Sequence, residues 1–209
     1  MEIRTSLSHY FSLRRTLIQL HLDLFKVHGK FKYDFANPLT DLEILVLILE
    51  DRRFFEHHGM DIISCVRELI RAATLHRFGG ASTVDMQFVR TATGYRRRTL
   101  RRKLYEMLLA LIIQYRYNKF EILRSYLACA YFGSHLYGTE RAARKVFNTS
   151  SHQLTFDQSA ELAAMLVYPC PLRPTPEWWA KVRGRANYAK RLYPRLKKRF
   201  QKLPSPELI

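Results

Sequence analysis

Two carboxylates stand where they could move protons. Glu50 ends an apolar run, Ile44–Leu49, and is followed directly by Asp51. Desolvation by that run and the partial negative charge of a helix C-terminus both raise a carboxylate's pKa, which gives Glu50 the setting of a general base working near neutral pH. Taken alone, it reads first as a charged residue marking where a helix meets solvent. Glu106 lies four residues after Arg102 and three after Lys103, on one helical face. With the cation N-terminal to the acid, these pairs are in the weaker orientation for helix support, so stabilisation explains them poorly, although a solvated salt-bridged face is the default for any single such trio. Upstream runs Arg96-Arg97-Arg98-Thr99-Leu100-Arg101-Arg102-Lys103, six cations in eight residues. Such a run suits nucleic acid or a localisation signal, and equally a pyrophosphate, which Arg binds through bidentate charge-assisted bonds. Gly79-Gly80 before Ser82-Thr83 gives a turn whose hydroxyls and amides could face phosphate oxygens, although no Gly-Lys-Ser/Thr follows. His57-His58 lacks zinc-protease spacing and has no Cys or acidic partner in the sequence, so no metal set is expected and Gly59 fits a turn.

The helical period supplies elements to hold these side chains. Leu13, Leu17, Leu20 and Leu24 share one face of an amphipathic helix over 12–28. It belongs to an N-terminal segment, 1–35, that could pack on a core or lie on a membrane. After the Asn37-Pro38 turn, Thr40 with Glu43 forms a capping-box pattern, opening a helix apolar nearly all round to Leu49 and therefore buried. The pattern predicts further helices over Ile62–Leu75, about 82–91, and about 99–117 with Leu100, Leu104, Leu108 and Leu111 on one face. Asn118 caps a helix over 119–132 that stops at Gly133, and Thr139 opens one through Phe147. Thr155 with Gln158 caps one ending before Pro169, and a basic helix covers about 177–193. The fold class is mainly α, with residues 36–209 forming one domain that ends in that basic helix.

The 209 residues carry 35 Lys and Arg against 18 Asp and Glu, a net charge of +17, which implies an anionic partner. A 47% hydrophobic chain of this length buries a sizeable core, which excludes a small disulfide scaffold, a collagen-like repeat and a disordered tail. Cys65, Cys129 and Cys170 form no C-x-x-C pair and read as small core residues. The longest apolar runs, Ile44–Leu49 and Met107–Ile113, fall well short of the roughly 20 residues of a membrane span. Residues 1–17 show no signal-peptide pattern.

In order along the chain, these segments resemble the peptidoglycan glycosyltransferase domain, glycosyltransferase family 51, found in monofunctional transglycosylases and bifunctional class A penicillin-binding proteins. Glu50-Asp51-Arg52-Arg53-Phe54-Phe55-Glu56-His57-His58-Gly59 matches the first motif, E-D-x-x-F-x-x-H-x-G, at every specified position. Gly80-Ala81-Ser82-Thr83-Val84-Asp85-Met86-Gln87 resembles the second, G-G/A-S-T-I-T-Q-Q, and Arg102-Lys103-Leu104-Tyr105-Glu106 fits the third, R-K-x-x-E. The run from Lys119 to Ala128 resembles the fourth, K-x-x-I-L-E-x-Y-L-N, continued by Tyr131-Phe132-Gly133. Gly138 with Ala142-Ala143 and Phe147 is similar to the fifth, and Glu161 to Pro169 to the helix that follows. The likeness covers about residues 36–190, and five motifs in order are far more specific than any one.

The resemblance implies a two-lobed, lysozyme-like helical domain with a smaller, membrane-contacting lobe. It implies that lipid II is polymerised into β-1,4 glycan strands with inversion, releasing undecaprenyl pyrophosphate. Glu50 then matches the base on the acceptor hydroxyl, and Glu106 the second Glu near donor and leaving group. Arg90 and Arg98 align with pyrophosphate-holding positions. Asp51, Phe54, His57, Gly59, Ser82, Thr83, Gln87, Arg102 and Lys103 match motif positions of the cleft. No cofactor is required, although Mg²⁺ or Mn²⁺ at the pyrophosphate is sometimes used in the family. The implied partners are lipid II, the growing strand, an anionic membrane surface and other cell-wall synthesis proteins, with no nucleic acid. The implied place is the bacterial cell envelope, peripheral at the outer face of the cytoplasmic membrane. Without a signal or the anchor that usually precedes the domain, a truncated or soluble form, or another export route, is expected. Asp85 and Met86 replace Thr and Gln of the second motif, and Asp85 is expected to put negative charge near the pyrophosphate, weakening donor binding or recruiting a cation. Arg124 and Ala128 replace Glu and Asn of the fourth at positions that look structural. Two other readings follow from the same residues: a non-catalytic or regulatory protein that binds lipid II or glycan, and a lysozyme-like hydrolase, because a single positioned Glu can also protonate a glycosidic oxygen.

Overall fold

The computed structural model describes residues 18–30, 38–75, 82–94 and 99–200. The start of the 12–28 helix, the Gly79-Gly80 turn, and Arg96, Arg97 and Arg98 lie outside the described residues. Among the described residues the chain forms nine α-helices and one two-stranded sheet. They are α1 (18–28), α2 (Asp41–Glu50), α3 (Ile62–Leu75), α4 (Val84–Thr93), α5 (Leu100–Ile113), α6 (Lys119–Cys129), β1 (Tyr131–Gly133), β2 (Leu136–Tyr137), α7 (Thr139–Phe147), α8 (Phe156–Ala164) and α9 (Pro176–Phe200).

α2 forms the centre of the core, where every residue from Leu42 to Leu49 is buried. Its capping box is made as its sequence requires: Thr40 Oγ1 accepts from the Glu43 amide at 3.2 Å, and Glu43 Oε2 accepts from the Thr40 amide at 2.8 Å. α2 packs on α8 and α9, and α4 packs on α5 and α6. Capping boxes at Asn118/Glu121 and Thr155/Gln158 start α6 and α8 in the same way. Arg124, one of the fourth-motif departures, donates from Nε to Glu43 Oε1 at 3.0 Å and ties α6 to the first turn of α2. Ala128, the other, lies one turn further along α6 and is exposed.

The structure departs from the sequence reading at three ends. α6 stops at Cys129 rather than 132, because Ala130 turns to extended backbone and Tyr131–Gly133 pairs with Leu136–Tyr137. α5 stops at Ile113, not 117, and its leucine stripe turns outward. Leu100, Leu104, Leu108 and Leu111 are exposed, while Glu106, Leu109, Ala110 and Ile113 are buried. α9 runs through Pro194 to Phe200, beyond the expected end at 193. An internal proline costs about 3 kcal/mol through its missing N–H and its clash with the preceding turn. Burial of Tyr193, Leu196 and Phe200 on the far side offsets that cost. Of the cysteines, Cys170 is buried and Cys65 and Cys129 are half-buried, all three as free thiols.

Candidate active site

The first-motif loop is built around Asp51. Its Oδ2 accepts from His57 Nε2 at 3.0 Å and from the Val84 amide at 3.1 Å, so one buried carboxylate pins the loop after α2 to the first turn of α4. Thr83 caps α4 by accepting from the Met86 amide, and its hydroxyl donates to the Gly59 carbonyl at 2.7 Å. Gly59 has φ +69°, and a Cβ there would lie 2.4 Å from the Ala110 carbonyl oxygen, so loop backbone meets α5 backbone directly. Phe54 is fully buried under the Lys119 ammonium, 4.3 Å from its ring centroid. Asp51, Phe54, His57, Gly59 and Thr83 therefore stand behind the cleft as its frame, rather than on its surface.

Glu50 stands in front of that frame. Gln87 Nε2 donates to Glu50 Oε2 at 2.7 Å, and the Tyr126 hydroxyl donates to Gln87 Oε1 at 2.9 Å, so a relay of two hydrogen bonds orients the carboxylate. Burial raises the Glu50 pKa above 4.5; the Gln87 bond and the Arg185 and Arg90 charges oppose that rise. Arg90 is the electrostatic link of the site, since its charge also acts on Lys103, Glu106 and Tyr126. Glu106 is 1% exposed and pairs with Arg102 Nε at 3.1 Å. Neither of its oxygens has a well-aligned hydrogen bond, and burial raises its pKa against the pull of Arg90, Arg102 and Lys103. Lys103, its pKa lowered by desolvation, donates from Nζ to Ser82 Oγ at 2.6 Å. Glu50, Gln87, Arg90, Ser82, Arg102, Lys103 and Glu106 are thus held by α2, α4, α5 and the residues leading into α4, while Arg98 lies outside the described residues.

Two expectations are corrected. Asp85 does not present a free negative charge: it is fully buried, accepts from Lys119 Nζ at 3.0 and 3.2 Å and from Gln114, and Met86 is fully buried as well. The cation Asp85 recruits is the chain's own Lys119. His57 also has the acidic partners that its sequence neighbours did not offer, because Asp51, His57 and Asp85 bring one ligand atom each within 4.8 Å of one another. Lys119 already occupies the Asp85 side of that group.

Sequence reasoning missed Tyr126, although it sits in the fourth motif, and it missed a group from α9. Arg185 Nη2 donates to the Leu49 carbonyl at 3.3 Å, and Arg52 Nε donates to the Ile48 carbonyl at 3.0 Å. Both guanidinium carbons lie 5.5 Å from the Tyr188 ring centroid. No periodicity marks these residues, because the basic face of α9 looks alike along its length. A cavity of about 1510 Å³ lies elsewhere: it opens on Thr40–Glu43, the end of α2 opposite Glu50, and reaches Thr91, Ala128 and Gly138.

The model of the Transglycosylase family matches residues 34–192, about three quarters of the chain. The chain belongs to the transglycosylase family. It is 38% identical over 135 residues to penicillin-binding protein 2a of Streptococcus pneumoniae, covering 63% of this chain and 18% of that protein. It is 33% identical over 153 residues to penicillin-binding protein 1A of Rickettsia bellii, covering 71% and 19%. With the biosynthetic peptidoglycan transglycosylase of Thiobacillus denitrificans it shares 31% over 154 residues, covering 73% and 63%. The transglycosylase chain described here thus spans less than a fifth of the length of the two penicillin-binding relatives.

Proposed function

We propose that this transglycosylase-family chain is a peptidoglycan glycosyltransferase that joins lipid II units into a β-1,4 glycan strand. One observation carries the reading: a desolvated carboxylate, Glu50, shares a single cationic neighbour, Arg90, with a second buried carboxylate and a lysine. Glu50 takes the proton from the acceptor 4-hydroxyl as that oxygen attacks C1 of the donor sugar. The C1–O bond to the pyrophosphate breaks on the opposite face, and the electron pair leaves with undecaprenyl pyrophosphate. Attack from the face opposite the leaving group inverts C1. Charge develops on the departing phosphate, where Arg90, Arg102 and Lys103 are already in place, and preplaced cations lower such a barrier more than mobile ones. A divalent ion does not suit this donor set: Glu106, the carboxylate among these cations, is ion-paired to Arg102, so no step runs through a metal.

The exposed apolar side chains of α3 (Ile62, Ile63, Val66, Ile70) and α5 (Leu100, Leu104, Leu108) support a smaller, membrane-contacting lobe in a two-lobed, lysozyme-like arrangement. A charge of +17 suits an anionic bilayer carrying an anionic lipid substrate. In this reading the chain works at the outer face of the cytoplasmic membrane, among other cell-wall synthesis proteins. Similarity to penicillin-binding proteins and to a biosynthetic peptidoglycan transglycosylase supports an envelope location. Among the described residues no helix is long and apolar enough to cross a membrane. Two of the features that motivate the non-catalytic reading, Asp85 and Met86, are fully buried, and Asp85 is paired with Lys119. The hydrolytic reading leaves the cation cluster without a purpose.

The test is polymerisation of labelled lipid II in detergent by wild type and Glu50→Gln, with and without moenomycin, the family's inhibitor. Wild type is expected to form glycan that the inhibitor blocks, with Glu50→Gln slower by a factor of about 10²–10⁴, the usual contribution of a positioned base. Equal product from a folded Glu50→Gln chain would exclude Glu50 as the base.

A further inference from the structure

We infer that Arg185, stacked with Arg52 on Tyr188, is a positioning residue for Glu50. The inference rests on Glu50 being the base. The end of α2 is electrostatically unfavourable for a carboxylate: the helix carries no basic residue in its last turn, and its final carbonyls bear partial negative charge. Asp51 adds a second acid beside Glu50 and pushes its pKa further up. Two guanidinium groups answer this from outside the helix. Arg52 Nε takes the Ile48 carbonyl, Arg185 Nη2 takes the Leu49 carbonyl, and the Arg52 Nη2 group donates to the Tyr188 hydroxyl at 2.5 Å. With a guanidinium 5.5 Å from the ring centroid in each case, Tyr188 fixes the two cations as one unit.

This arrangement closes the helix end on which Glu50 sits, so the direction of its side chain depends on α9 as well as on Gln87. Arg185 is half-buried and its Nε has no hydrogen-bond partner, so part of its positive charge is uncommitted beside the cleft. The charged and titratable groups acting on Glu50 are Arg90 from α4, Tyr126 from α6, Arg185 from α9 and Asp51 from its own chain segment, with Gln87 as the hydrogen-bond donor. Arg185 is the one among them that also grips the backbone of α2. Removing it takes away both a carbonyl donor and a nearby positive charge, and the second loss makes Glu50 harder to ionise.

The full chain is assayed for lipid II polymerisation from pH 5 to 9 as wild type, Arg185→Met, Arg185→Lys and Arg52→Met. The expected result is a displacement of the acidic limb of the Arg185→Met profile toward higher pH. Its rate at pH 6 should fall about tenfold, which is the effect of one pH unit of displacement, with a smaller change on the alkaline plateau. Arg185→Lys, which keeps the charge, should restore most of the limb. Arg52→Met, at an exposed position, should move it in the same direction by less. A folded Arg185→Met chain with an unmoved limb overturns the inference. If that variant does not fold, an unmoved limb in Arg52→Met overturns it instead. A wild type inactive at every pH overturns the transferase reading itself, and this inference falls with it.

Discussion

Burial raises the Glu50 pKa because the folded site favours its protonated form, so the ionised carboxylate that catalysis needs works against folding. The sign follows from proton counts. Between the ordinary value of 4.5 and the raised folded value, the native chain binds more protons than the unfolded one, and stability falls as pH rises through that window. A neutral Gln at position 50 escapes this penalty and can still accept from Gln87. Glu50→Gln should therefore melt at a higher temperature than wild type at pH 8, with the difference shrinking as pH falls through that window and vanishing about a pH unit below 4.5, where both side chains are neutral in either state. Thermal melts across that range check it, and a lower melting temperature for the variant at pH 8 would contradict the desolvation argument. The desolvation of Glu50 was legible in the sequence because an apolar helix ends in Glu-Asp. The direction of Asp85 was not legible, since a one-dimensional motif does not tell which face of α4 meets Lys119.

At the scale of elements, the site depends on how closely the first-motif loop approaches α5, and Gly59 sets that distance. Its positive φ costs a side-chain residue about 1–2 kcal/mol, and the added Cβ would press on the Ala110 carbonyl, an overpacking worth about 1–3 kcal/mol more. Gly94 has nearly the same φ, +73°, but a Cβ there meets nothing within 4 Å. Gly59→Ala should lose about 3 kcal/mol in denaturant unfolding and most of its activity, while Gly94→Ala should lose about 1 kcal/mol and remain active. Similar losses at both positions would show that backbone conformation alone matters. Helix starts were the most readable elements, because Thr40, Asn118 and Thr155 each place a capping oxygen and a matching Glu or Gln three residues on. Helix ends were less readable. Pro194 reads as a stop until the burial of Leu196 and Phe200 is known, and α6 gives way to a strand with no local breaker before Gly133.

For the whole molecule, the proposed function requires a face that meets the bilayer, and the leucine stripe of α5 bears on it most directly. A period that places Leu100, Leu104 and Leu108 together ordinarily means core, yet these side chains are 75%, 59% and 46% exposed. α1 packs beside α5 through the Tyr105 hydroxyl, which donates to the buried Asp23 at 3.0 Å, and Phe25 of α1 is exposed as well. The expected partner for such a surface on a strongly basic protein is an anionic membrane, held by two separable forces. Charge attraction gives about 1 kcal/mol per Lys or Arg near the headgroups and weakens with salt, whereas each inserted leucine adds about 1.5–3 kcal/mol that salt leaves intact. Wild type should therefore sediment with phosphatidylglycerol vesicles at low salt and keep part of that binding in 0.5 M salt, a concentration chosen to shrink the Debye length to a few ångströms. Leu104→Asp with Leu108→Asp replaces solvent-facing leucines with two negative charges, so the fold should survive while both forces weaken. The high-salt component should disappear while low-salt binding weakens at least tenfold. If the double variant matched wild type at both salt levels, charge alone would hold the protein to lipid, and the membrane face would have to be sought away from α5.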